Sequence, residues 1–249
     1  MRILLFSKRT IKEILRDRVN LFFGLGFPLV LLVLLSVINA NIPAEANNTM
    51  FSIQNLAPGI ATFGPVFMAL FSGMLLSKDR TSSFLMRLFT SPMTSSEFIL
   101  GYTLPMIVFA VAQSIVSFTA ATLFGFALSV DVLLAVAVLM PVTVLFVGIG
   151  LLCGSVLNDK AVGGICGALL TNVAGWLSGI WFPLDLVGGA FKTVAEVLPF
   201  YHAVEAVKAA VNGQYADILP HLAVVAVYAL VVYAAAVVVF RRKMHGDKV

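Results

Sequence analysis

Val132–Leu157 reads VLLAVAVLMPVTVLFVGIGLLCGSVL and holds no Asp, Glu, Lys, Arg or His. A helix of that length rises about 39 Å at ~1.5 Å per residue, more than the roughly 30 Å hydrocarbon core of a bilayer. Working outward, five more uncharged apolar runs flank it: Val19–Ile38, Leu56–Ser77, Phe98 to about Val130, Ala161 to about Leu184, and Leu222–Phe240. Each crosses hydrocarbon without the roughly 2.5–3.5 kcal/mol that a mid-bilayer charge costs on insertion scales. The whole composition agrees: 249 residues are 60% hydrophobic and only 11% charged, with a mean hydropathy of +1.03. That is more apolar surface than one soluble core hides. The reading is an all-α membrane protein with six transmembrane helices, at 19–38, 56–77, 98–130, 132–157, 161–184 and 222–240. Pro105 lies within the third run, where the missing N–H permits a kink.

Lys and Arg set the orientation. With the N-terminus inside, the inner flanks hold Arg2, Lys8, Arg9, Lys12, Arg16, Arg18, Lys78, Arg80, Arg87, Lys160, Arg241, Arg242, Lys243 and Lys248, and the outer flanks hold only Lys192 and Lys208. The positive-inside rule therefore predicts both termini in the cytoplasm of a cell (inner or plasma) membrane. The net charge of +4 is spread along these flanks, not gathered on one folded face, so it anchors the protein to lipid and does not read as a nucleic-acid surface. Cys153 and Cys166 lie inside apolar runs without metal or disulfide spacing, and read as small apolar residues.

Residues 1–18 carry Ile3, Leu4, Ile11, Ile14 and Leu15 at helical spacing, with Lys8, Arg9, Lys12, Glu13 and Arg16 opposite. This predicts an amphipathic helix in the inner interface plane. Between the second and third runs, Phe84, Leu85, Leu88 and Phe89 fall on one face of a short helix at about 82–90, which Pro92 ends. Thr94 and Glu97 then form a capping-box pattern. Such a helix either rests on head groups or inserts its bulky face into a groove on a soluble protein. On the outer side, about 183–212 is apolar yet interleaved with charges and broken by Pro199, which predicts two short helices dipping into the outer leaflet.

Several function classes are excluded or disfavoured. No G-x-x-x-x-G-K-[ST] loop is present, so the chain holds no nucleotide-binding motif of that kind. The six runs carry no ionisable relay for an ion-coupled carrier, and no paired Asp, His-Glu-x-x-His or Gly-x-Ser-x-Gly for an intramembrane enzyme. No ring of charges marks a passive channel.

Three stretches resemble the type-2 ABC transporter permeases, the transmembrane subunits of many bacterial ATP-driven exporters. The helix before the first span is similar to that family's elbow helix. Arg80-Thr81, Leu85-Met86-Arg87-Leu88-Phe89-Thr90-Ser91-Pro92 and Glu97-Phe98-Ile99-Leu100-Gly101 resemble the stretch that holds its coupling helix. Leu198-Pro199-Phe200-Tyr201-His202-Ala203-Val204-Glu205-Ala206-Val207-Lys208 resembles its re-entrant helices before the last span. One departure concerns the coupling contact: Ser82-Ser83-Phe84 stands where members often carry Gly-Thr and an acidic residue.

The resemblance implies a single six-span domain over 19–249, working with a second permease copy or paralogue and with a separate cytoplasmic ABC ATPase that binds ATP and Mg. The chain itself would bind no cofactor or metal. It implies ATPase-coupling roles for Arg80, Phe84, Leu85, Arg87, Leu88, Phe89 and Pro92. Phe63, Phe67 and Phe71 form an i, i+4, i+8 stripe on the second span, and Asn172 and Trp176 an i, i+4 pair on the fifth. Such side chains either pack in the bundle or meet lipid; the resemblance puts both spans beside the translocation pathway and so implies contact with cargo. The cargo implied is a hydrophobic or amphipathic drug, lipid or peptide, as in multidrug efflux. The alternatives are polysaccharide or glycolipid export within the family and an ion-coupled carrier outside it. Gly150 with Gly154, Gly163 with Gly167 and Gly175 with Gly179 give small-xxx-small spacings for close packing, within one bundle or between two.

Overall fold

The computed structural model describes residues 2–42, 52–82 and 93–246. The described residues form helices joined by turns and short extended stretches, with no strand. Helix α1, Arg2–Arg16, leads into α2 at 18–40, which contains a π-turn at Phe22–Gly26. There follow α3, Ile53–Thr81; α4, Ser95–Ala121, prolonged by a tight turn to Phe124; and α5, Asp131–Val156. Helix α6 covers 159–176 with a π-turn at Gly163–Leu169. Two short helices, α7 at Gly189–Val197 and α8 at Pro199–Val211, precede the long final helix α9, Tyr215–Gly246.

Among the described residues, five helices are long and apolar enough to cross a membrane: Phe22–Ala40, Ile53–Thr81, Ser95–Phe124, Asp131–Val156 and Tyr215–Arg242. The fifth apolar run of the sequence differs. Its helix stops at Trp176 instead of continuing to 184, and the chain turns at Gly179 with φ +74°. Ser178 holds this turn, its Oγ donating to Gly175 O at 3.2 Å and accepting from Ile180 N. Proline at 183 then keeps the backbone extended before a single tight turn at Leu184–Leu186. The third run also ends early, at Phe124 and not near Val130. Gly125 takes φ +90°, and the amide of Phe126 reaches back to Ala121 O, a glycine-terminated helix end.

Helix α3 is the hub, 83% buried along its most apolar window, with α2, α4, α5, α6 and α8 around it. It meets α5 backbone to backbone. A Cβ on Gly150 would lie 2.0 Å from Ala69 O, and one on Gly154 would lie 2.4 Å from Gly73 O. The Gly150/Gly154 spacing is thus used inside the bundle, where the absence of side chains lets the helix axes approach and gain dispersion contact that apolar lipid cannot replace by a hydrophobic effect. By contrast, α2 and α9 turn most of their surface outward, with 22% and 17% of their windows buried.

Helix α1 packs on α4 with Leu4, Leu5 and Leu15 exposed and Phe6, Ser7, Thr10 and Ile14 buried. Gly101 makes the seat: a Cβ there would sit 2.4 Å from Phe6, and its carbonyl accepts from Ser7 Oγ at 3.1 Å. Phe6 meets Phe98 and Tyr102 edge-on. Arg9 and Glu13, grouped with the outward polar face in the sequence, are only partly exposed and turn toward α3.

Candidate functional site

The last turn of α3 is where the bundle meets the segment that resembles a coupling helix. Two neighbouring residues there fasten it in different directions. Asp79 is buried at 5% exposure. Arg9 of α1 donates to both its oxygens, Nη1 to Oδ2 at 2.5 Å and Nη2 to Oδ1 at 2.7 Å, and Tyr102 OH of α4 donates to Oδ2 at 2.7 Å. A bidentate guanidinium fixes the orientation as well as the charge, which a point-like ammonium does not. Arg80 turns the other way. Its Nη1 donates to Ser155 O at 2.8 Å and its Nη2 to Leu157 O at 2.7 Å, carbonyls at the C-terminus of α5 that lack intrahelical partners. Ser77 Oγ also donates to Leu157 O, at 2.9 Å. A cation at a helix C-terminus additionally meets the negative end of its dipole.

Glu13 completes the network. One carboxylate oxygen bonds Arg9 Nη2 at 2.6 Å, while Oε2 is buried without a partner. Burial pushes this carboxyl above its ordinary range, against the opposing pull of Arg9. Beside it, a cavity of ≈ 210 Å³ opens between α1 and α3, lined by Ile14, Phe71, Met74 and Leu75 together with Glu13 and Asp79.

Of the residues singled out for coupling, Arg80 is the one described. Phe84, Leu85, Arg87, Leu88, Phe89 and Pro92 lie outside the described residues, as does most of the loop that follows α2. Immediately after them, Thr94 and Glu97 form the capping box that starts α4, with Thr94 N donating to Glu97 Oε2 at 2.7 Å.

The pathway candidates fall into two groups that one subunit does not bring together. Phe63, Phe67 and Phe71 are buried at 3%, 4% and 1% exposure. Phe67 contacts Phe23 and Phe27 of α2, Phe63 contacts Trp181, and Phe71 contacts Phe109. Asn172 and Trp176 are exposed on α6: Asn172 Nδ2 donates to Ala168 O, and Trp176 lies against Phe182. Arg9, Asp79 and Tyr102 were not legible as a group in the sequence. The available signal was the Lys78-Asp79-Arg80 triplet at a span end, where a lone acid between two cations is placed at the depth a basic elbow helix can reach.

The profile described as ABC-2 type transporter matches residues 1–211, a stretch that contains α1, the whole Arg9–Asp79–Tyr102 network, Arg80 and α8. The chain belongs to the ABC-2 type transporter family. No curated protein matches it. In this ABC-2 permease the end of α3 is bonded to α1 and α4 through the Asp79 carboxylate and to α5 through the next residue, Arg80.

Proposed function

We propose that this permease is the membrane subunit of an ATP-driven exporter that carries a hydrophobic or amphipathic small molecule, such as a drug, a lipid or a peptide, out of the cytoplasm or the inner leaflet. Two permease copies, or this chain and a paralogue, enclose the pathway in the cell membrane with both termini in the cytoplasm. ATP and Mg are bound by a separate cytoplasmic ATPase subunit. Closure of the ATPases moves the coupling segment at about 82–90, with Phe84, Leu85, Leu88 and Phe89 held in a groove and Arg87 and Pro92 at its border. The movement enters α3 through Thr81 and passes to α1 and α4 by way of Asp79 and to α5 by way of Arg80.

The observation that carries this reading is the double fastening of α3 at Asp79 and Arg80, directly before that segment. A helix end that only rested on lipid would have no need of a buried carboxylate, which is costly unless paired. Exposed Asn172 borders the pathway, Trp176 stands at the mouth of the pathway beside the lipid interface, and the stripe of Phe63, Phe67 and Phe71 stiffens its wall from behind. Apolar and aromatic surface of this kind suits an amphipathic cargo.

The test is copurification of the permease with an untagged cytoplasmic ATPase, followed by ATPase and transport assays over apolar, amphipathic and polysaccharide cargoes. Leu88→Asp is expected to insert normally and to lose both ATPase binding and transport. Unchanged complex formation and transport in that variant would overturn the coupling assignment, and stimulation by polysaccharide alone would overturn the cargo class.

A further inference from the structure

At the opposite end of the bundle, the outer end of α3, the turn after α6, α7 and α8 enclose a cavity of ≈ 260 Å³. Four charged side chains line it, each in an ion pair. Lys192 Nζ bonds Asp185 Oδ1 at 2.6 Å and lies 3.5 Å from Glu196 Oε1, and Lys208 Nζ bonds Glu205 Oε1 at 2.9 Å. Tyr201 adds a phenol, and Ile180, Phe182 and Leu184 form an apolar wall.

We propose that this cavity binds the head group of a zwitterionic phospholipid, with phosphate toward Lys192 and Lys208 and ammonium toward Asp185 and Glu205. The lining carries two positive and two negative groups. A purely anionic ligand would draw off the lysines and strand the carboxylates, and a purely cationic one would do the reverse. A dipolar ligand exchanges contacts with both signs of the lining at once, and its zero net charge leaves the balance of the site unchanged. The exchange is cheap, because partly exposed ion pairs contribute only about 0–1 kcal/mol each.

Size and surroundings select the lipid over a soluble dipolar ion. The volume falls below the roughly 300–1,000 Å³ of sites for drug-sized ligands, so a head group fits and acyl chains remain outside. The way out is apolar: Phe182 packs on Trp176 with ring centroids 5.8 Å apart, and Trp176 is 55% exposed. An indole so presented beside a polar cavity belongs to the membrane–water interface, where acyl chains begin.

The proposal rests on the permease reading only in assigning this face to the outer leaflet; its test involves no ATPase, so either can fail alone. Full-length protein in detergent is titrated with phosphatidylethanolamine, with phosphatidylglycerol and with O-phosphoethanolamine, and retained lipid and the thermal midpoint are read. The expected result is about tenfold tighter retention of phosphatidylethanolamine than of phosphatidylglycerol, a difference of roughly 1.4 kcal/mol. Glu205→Lys removes that preference, and the swapped double variant Glu205→Lys/Lys208→Glu restores it, which separates loss of the site from loss of the fold. Equal retention of both lipids, or a preference unaltered by Glu205→Lys, would overturn the site. So would a double variant that is folded but not restored. Competition by O-phosphoethanolamine at equal concentration would overturn the lipid as ligand.

Discussion

Arg9 and Asp79, seventy residues apart in sequence, meet in a two-point ion pair, Nη1 to Oδ2 at 2.5 Å and Nη2 to Oδ1 at 2.7 Å, that joins α1 to the end of α3. Because Asp79 is buried, removal of its cation leaves an uncompensated charge, which costs about 3–5 kcal/mol at such sites. Arg9→Ala is therefore expected to lower the thermal midpoint sharply. Arg9→Ala/Asp79→Asn is expected to recover most of the loss, since Tyr102 still bonds the amide. A double variant no more stable than Arg9→Ala alone would show that the two residues do not act as a pair.

Hydrophobic periodicity identified where helices lie far better than which way they face. Val132–Leu157 and four of its companions correspond to helices long and apolar enough to cross a membrane. Local polar chemistry was legible too, as in the Thr94/Glu97 capping box. The face of α1 was not. Lipid and bundle interior are equally apolar, so exposed Leu4 and Leu15 and buried Phe6 and Ile14 give one undivided pattern. The end of α6 escaped for a different reason. Residues 177–184 stay apolar after the helix stops, and the stop depends on a left-handed glycine and a serine hydroxyl. The Arg9–Asp79 pair is long-range, and no local spacing encodes it.

Glu13 should make stability depend on pH. Its folded carboxyl is raised above the ordinary 4.5 by burial, so the fold favours the protonated form. Stability from this group is complete below 4.5 and is lost as pH rises through the folded value. Glu13→Gln removes the charge. The variant is expected to melt at a higher temperature than the parent at pH 7 to 8, with the difference fading as the pH falls toward 4.5. A variant less stable than the parent at neutral pH would contradict this sign.

The glycines of α5 and α6 offer a matched comparison. A methyl at Gly150 would collide with the carbonyl of Ala69 at 2.0 Å, and neither backbone can turn aside as a side chain can. At Gly164 a methyl meets nothing within 4 Å. Gly150→Ala is thus expected to cost at least the ~1–3 kcal/mol of an overpacked core, and Gly164→Ala to be neutral or to gain up to ~1 kcal/mol of helix propensity. Thermal midpoints of the two variants in one detergent decide the matter.

Arg80 separates coupling from mere stability. Its two nitrogens hold Ser155 O and Leu157 O at the end of α5, and charged hydrogen bonds of this type contribute about 1.5–3 kcal/mol. Arg80→Ala should therefore lower the midpoint, but so would loss of any good cap. The distinguishing quantity is cargo moved per ATP hydrolysed by the complex with the ATPase subunit. If α3 drags α5 through Arg80, that ratio falls in Arg80→Ala even at temperatures where the variant is fully folded. Arg80→Lys, with one donor head in place of a fork, lies between the two. A ratio equal to the parent's in folded Arg80→Ala would show that force reaches α5 by another route, through the Gly73–Gly150 backbone contact or not from α3 at all.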